Sequence, residues 1–146
     1  MSPSETALDP GELSAYEQQV LASWSDTHKK SALMLFVLLA LTSAPAWSGE
    51  IRLFITRASG GELSVDEQSL HRTLRRLEGL NVITHTAQSV AGTGARRKVY
   101  ELTGSGGRLL DAFLSTTMGY LDEPEFIASV QAAQRTTRRR RQSSAR

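Results

Sequence analysis

Apolar side chains recur at helical spacing in several stretches of the chain and alternate in a strand-like way in two others. Leu13, Tyr16, Val20, Leu21 and Trp24 share one side of a helix running to about Ser25. Asp9-Pro10-Gly11-Glu12 offers its start, with Asp9 as N-cap, Pro10 at the first helical position and Glu12 reaching back to the cap. Residues 1–8 have no such period. The apolar run 32–41 predicts a helix over 29–41, buried on nearly all sides and ended by the Pro45 turn. Ile51, Phe54 and Ile55 predict a further helix from Trp47 or Ser48 to Ala58, stopped by Gly60-Gly61, and Leu63 is expected to supply a minimal strand.

The clearest pattern follows. Leu70, Leu74 and Leu77 recur at four and three residues, with arginines between them. Two caps compete for the start of that helix, Ser64 with Glu67 and Asp66 with Ser69. Residues 82–87 and 96–102 then read as strands joined by a tip of small residues, 88–95, with Tyr100 and Leu102 on the face that packs inward. Thr103 suits a cap for one more helix, although Gly104, Gly106 and Gly107 weaken its first turn. Leu109, Leu110, Phe113, Leu114, Thr117, Tyr120 and Leu121 form an apolar stripe wider than one small domain needs, which points to dimerisation. A short helix carrying Phe126, Ile127 and Val130 restarts at Pro124, and residues 135–146 are expected to be disordered.

This order predicts a mainly α fold with a small β-hairpin, a winged helix-turn-helix with N- and C-terminal dimerisation helices. The expected organisation is an arm helix over 1–27, the winged unit over 28–103, dimerisation helices over 104–134 and a basic tail over 135–146.

Charge sharpens the picture. The net charge is only +2, but residues 135–146 hold six arginines and no acid, leaving −4 for the rest. Residues 1–26 contain Glu5, Asp9, Glu12, Glu17 and Asp26 and no Lys or Arg. Basic surface is therefore local, as a dedicated polyanion site requires. Cysteine is absent, which excludes disulfides, thiol catalysis and thiolate metal sites. Lys29 and Lys30 before the run 32–41, with Ala44-Pro45-Ala46 after it, imitate a secretion signal. The acidic stretch that comes first argues against one, and the run is shorter than the roughly 20 residues a membrane span needs. The expected location is cytoplasmic, without a membrane partner.

A helix fits the major groove of duplex DNA, where guanidinium groups make the commonest specific contact. Gln68, Ser69, His71 and Arg72, near the helix start, are placed to read bases, and Arg75 and Arg76 to hold phosphates. Arg96, Arg97 and Lys98 are consecutive, so alternation splits them between two faces, with Arg96 and Lys98 toward phosphate. The competing account is a solvated face in which Arg72 or Arg75 pairs with Glu67 or Glu78. His28, His71 and His85 have neither metal spacing nor a nucleophile, and Gly92-Thr93-Gly94 lacks the context of a phosphate loop. No enzyme, metal site or cofactor is expected. Trp24, Trp47, Phe113 and Tyr120 are the candidates for lining an effector pocket.

Leu70-His71-Arg72-Thr73-Leu74-Arg75-Arg76-Leu77-Glu78 resembles the recognition helix of the PadR family of bacterial transcriptional regulators. Ala95-Arg96-Arg97-Lys98-Val99-Tyr100-Glu101-Leu102-Thr103, with Gly106, resembles that family's wing and the turn into its next helix. The short C-terminal region is similar to the compact branch of the family. His71 stands where the family usually has tyrosine, and Trp47-Ser48-Gly49 where it has a His-Gly-Tyr turn. The resemblance implies a homodimeric repressor that binds double-stranded DNA at an inverted repeat, with a small hydrophobic effector between subunits. Alternatives are a MarR-like effector-responsive regulator, or a winged-helix module that turns Arg72 and Arg75 to an acidic protein.

Overall fold

In the computed structural model, which describes residues 12–146, the first element is a helix of 26 residues, α1 (Ala15–Ala40). It opens on a reciprocal cap. The Glu17 backbone N–H donates to Ser14 Oγ at 3.1 Å and the Ser14 N–H donates to Glu17 Oε1 at 3.1 Å. The start expected at Asp9-Pro10 lies outside the described residues. Two helices were expected up to residue 41, and one is found. Nothing between Ser25 and Ser31 is Gly or Pro, and Asp26 precedes Lys30 by four residues, the favourable order for opposite charges on a helix.

Residues 28–115 form one compact unit. The end of α1 enters its core with Val37 and Leu38, which meet Ile51 and Ile55 of α2 (Ser48–Ala58) and Leu70, Leu74 and Leu77 of α3 (Glu67–Gly79). Those three leucines are essentially inaccessible to solvent, so the expected seam is the buried face. Full burial of each stabilises the fold by about 1.5–3 kcal/mol. Between α2 and α3 the chain is tied to Ser59. Its hydroxyl accepts from the Leu63 N–H at 3.0 Å and donates to the Ile55 carbonyl at 2.7 Å.

The sheet has three antiparallel strands in the order β1-β3-β2, from β1 (Ala46–Trp47), β2 (Ile83–Ser89) and β3 (Arg96–Leu102). Its minimal strand is Ala46–Trp47, paired with Tyr100 and Val99, and not Leu63, which is buried in the connection without a strand partner. The register Ile83↔Leu102 through Ser89↔Arg96 carries β2 two residues further than expected. The tip is correspondingly short. Val90 N–H donates to the Ala95 carbonyl at 2.8 Å, with Gly92 and Gly94 supplying the positive φ values of 78° and 66°.

Thr103 caps α4 (Gly104–Ser115), its hydroxyl accepting from the Gly106 N–H at 2.9 Å. The same hydroxyl donates back to the Asn81 carbonyl at 2.7 Å, which fixes the helix start against the entry to β2. Gly106 is buried there because a Cβ on it would sit 2.0 Å from the Val82 carbonyl oxygen. A glycine that weakens the helix in isolation is thus required by packing.

The second unit joins the chain up to Thr27 with residues 116–146. It contains a 3-10 turn at Gly119–Asp122 and α5 (Pro124–Ser144). Tyr120 packs edge-on against Phe126, ring centres 5.0 Å apart. The arginine-rich segment expected to be disordered is helical to Ser144. It lacks an apolar period, but Ala, Gln and Arg are all strong helix formers. Among the described residues no helix is long and apolar enough to cross a membrane.

Candidate nucleic-acid interface

The seam of α3 turns the opposite side of that helix outward. Asp66, and not Ser64, supplies its cap: the Ser69 N–H donates to Asp66 Oδ1 at 2.8 Å and the Ser69 hydroxyl to Oδ2 at 3.0 Å. Those two donors, the backbone one first, hold the Asp66 carboxyl below the usual aspartate range. Ser69 also accepts from an Arg72 guanidinium nitrogen at 3.2 Å, so its hydroxyl orients Arg72 and is not left open.

Gln68, Arg72, Arg75 and Arg76 are exposed, and Ser69 and His71 half-buried. Gln68, His71, Arg72 and Arg75 border one shallow depression together with Glu67. Two of the nearby carboxylates lie beside histidines. Glu67 Oε1 lies 3.6 Å from His71 Nε2, and Glu78 Oε1 lies 2.8 Å from His85 Nδ1. Among the described residues, Arg72, Arg75 and Arg76 make no ion pair.

The wing adds three more cations on two faces. Arg96 and Lys98 share the face of Tyr100, opposite Ser89 and Ala87 of β2, and are exposed. Arg97 is on the other face, where its guanidinium carbon stands 4.4 Å from the centre of the Trp47 ring. That ring also covers Gly49, whose missing side chain leaves room for it: a Cβ there would fall 2.3 Å from the indole. Glu50 accepts from the Trp47 N–H at 3.3 Å, so the start of α2 and the base of the wing are held by one residue.

A second tie links the wing and α3. His85 on β2 bridges from Glu78 in the last turn of α3 to Tyr100 on β3, whose ring centre is 5.7 Å away. Burial first, and then the Glu78 charge, push the Tyr100 phenol up from its ordinary value. Neither the Trp47–Arg97 stack nor the Glu78–His85 bridge was anticipated, since each joins residues that only the folded sheet brings together.

The profile of the transcriptional regulator PadR-like family matches residues 37–112, just over half of the chain. The chain belongs to the PadR-like family. Its members are transcriptional regulators and not enzymes, and the match favours PadR over the MarR-like alternative. Among curated protein sequences, none matches this chain. A PadR-like transcription factor from Bacteroides fragilis is similar at 25% identity and a TM-score of 0.56, over 74% of this chain and 98% of that one. A PadR family regulator from Eggerthella lenta has the same fold at 19% identity and a TM-score of 0.64, over 75% of this chain and 92% of that one. Bacillus subtilis PadR, solved in complex with operator DNA, is similar at 24% identity and a TM-score of 0.52, over 57% of this chain and 47% of that one.

The four aromatics considered for an effector pocket of this PadR-like chain are divided between the two units. Trp47 is engaged with Arg97. Phe113 lines a cavity of about 300 Å³ with Ser31, Met34, Leu35 and Leu38 of α1 and Leu109 and Leu110 of α4. Trp24 and Tyr120 belong to the other unit, Trp24 being 73% exposed. Among the described residues no cluster of His, Asp and Glu is placed to hold a metal.

Proposed function

We propose that this PadR-like chain is a sequence-specific DNA-binding regulator that acts in the cytoplasm as a homodimer and represses by occupying an inverted-repeat operator. The observation that carries the reading is the outward side of α3, where Arg72, Arg75 and Arg76 are exposed and, among the described residues, make no ion pair within 4 Å, Arg72 lying near the Asp66 cap. Gln68, His71 and Arg72 read base edges in the major groove, with Ser69 orienting Arg72, while Arg75 and Arg76 hold phosphates. Arg96, Arg97 and Lys98 follow the backbone or minor groove beside it. Duplex DNA as the partner is supported by the Bacillus subtilis relative, whose structure was solved with operator DNA.

Dimerisation is supported by exposed apolar side chains that a monomer leaves in water. Tyr16, Val20, Leu21 and Trp24 on α1, and Leu109, Phe113 and Leu114 on α4, are each 40% or more exposed. A two-fold dimer presents its two recognition helices to half-sites about one helical turn apart, which is the geometry of an inverted repeat. The cavity bordered by Leu38, Leu110 and Phe113 suits a small hydrophobic effector.

The test is a mobility shift on the DNA upstream of the chain's own coding sequence, followed by protection mapping. A sequence-preferring shift is expected at moderate salt, and Arg72→Ala is expected to lose about 1–3 kcal/mol of discrimination at one base position. A wild-type protein without sequence preference overturns the reading and leaves the acidic-protein module. A monomeric mass at micromolar concentration overturns the dimer.

A further inference from the structure

The C-terminal half of α5 is the most concentrated charge on the chain. Arg135, Arg138, Arg139, Arg140 and Arg141 lie on one continuous helix, all exposed, and no acid follows Glu125. Residues 135, 138 and 139 are three and four apart, so three like charges share one strip of the helix. Such pairs repel in a free helix, and a basic last turn complements only the final carbonyls, which accounts for Arg141 but not for Arg135.

We propose that this half of α5 is a second DNA-contacting element, one that grips the phosphate backbone flanking the operator. The proposal rests on the DNA-binding reading above. Charge density favours it: five guanidinium groups occupy about 10 Å of helix axis, and duplex DNA presents about six phosphates in the same length. Residue type favours it too. Every cation of the segment is arginine, whose planar fork matches phosphate in pairs of hydrogen bonds, whereas lysine would serve plain solubility equally well. An anionic membrane is disfavoured, because from Gln131 to Ser144 the only apolar residues are Ala132 and Ala133. An interfacial helix needs bulky side chains to insert opposite its basic face. Covalent attachment to the winged unit gives α5 a high effective concentration at any DNA that unit has bound.

The experiment compares the full-length chain with the triple variant Arg135→Gln, Arg138→Gln, Arg139→Gln on two duplexes. Both carry the inverted repeat found within the segment protected in upstream mapping, one trimmed to the edges of the repeat and one extended by about one helical turn on each side. Glutamine keeps helix propensity, and circular dichroism checks that it does. On the extended duplex, the slope of log affinity against log salt should fall in the variant by about 0.9 for each lost contact, with affinity at least tenfold weaker at low salt. On the trimmed duplex the two proteins should coincide. Equal slopes on the extended duplex, with sequence preference intact, overturn this proposal and leave the regulator reading standing. A wild type without sequence preference overturns both. Loss of binding to phosphatidylserine vesicles with unchanged DNA slopes assigns the helix to a membrane and refutes the proposal.

Discussion

Gly106→Ala is a single added methyl whose cost is set by the geometry at the foot of the wing. The new Cβ would stand 2.0 Å from the Val82 carbonyl oxygen and 3.0 Å from its carbonyl carbon, so α4 and the entry to β2 must part by about 1 Å. That displacement acts on the hydrogen bond that the Thr103 N–H donates to the same oxygen at 3.1 Å, the Thr103 hydroxyl proton being committed to the Asn81 carbonyl at 2.7 Å. Stretched by that amount it no longer counts as a bond, at a cost of about 0.5–1.5 kcal/mol. Strain from overpacking adds about 1–3 kcal/mol. Alanine recovers about 1 kcal/mol of helix propensity. The expected net loss is about 2 kcal/mol, read as a shift in the urea midpoint followed by circular dichroism. Gly107→Ala is the matched control, since its Cβ would meet nothing within 4 Å, and it should be neutral or stabilising. Equal midpoints for Gly106→Ala and wild type, with Gly107→Ala neutral, would refute the close approach.

Asp66 gives a pH signature. Its carboxyl is held low in the folded chain, so the stability it contributes is complete above the ordinary aspartate value and is lost as pH falls through the lower folded one. Thermal midpoints of wild type and Asp66→Asn should run parallel at neutral pH and converge only below about pH 4; a constant difference would remove Asp66 as the ionised cap. Arg97 has two expected roles. Arg97→Ala should lower the salt slope of operator binding by about one, and a double-mutant cycle with Trp47→Leu should return about 0.5–1 kcal/mol of coupling. An unchanged slope with the coupling present would leave Arg97 as a stacking partner and nothing more.

The leucine seam of α3 was legible because burial on a helix imposes its own period, and three leucines at the right spacing leave the arginines only one side to occupy. The hairpin was legible for the equivalent reason, with Tyr100 and Leu102 alternating inward and glycines at the tip. Thr103 could be read as a cap from type and position. Other features depend on pairs far apart in sequence. Ala46–Trp47 is too short to alternate, and becomes a strand only because Tyr100 and Val99 lie beside it. Gly106 looked like a weakness in a helix until Val82 was placed against it. The helical arginine segment shows the opposite limit: its arginines and glutamine favour a helix, but no apolar stripe announces it.

Allocation of acids, and not total charge, reconciles a net charge of +2 with an outward side of α3 that carries Arg72, Arg75 and Arg76. Asp66 and Glu67 sit in the first turn of α3, where the helix dipole favours negative charge and where Asp66 is bonded to Ser69. Glu67 faces His71 and Glu78 faces His85, so neither is shared with an arginine. The arginines of α3 are thus left without a carboxylate within ion-pair distance, and the hydrogen bond printed for Arg72 goes to the Ser69 hydroxyl.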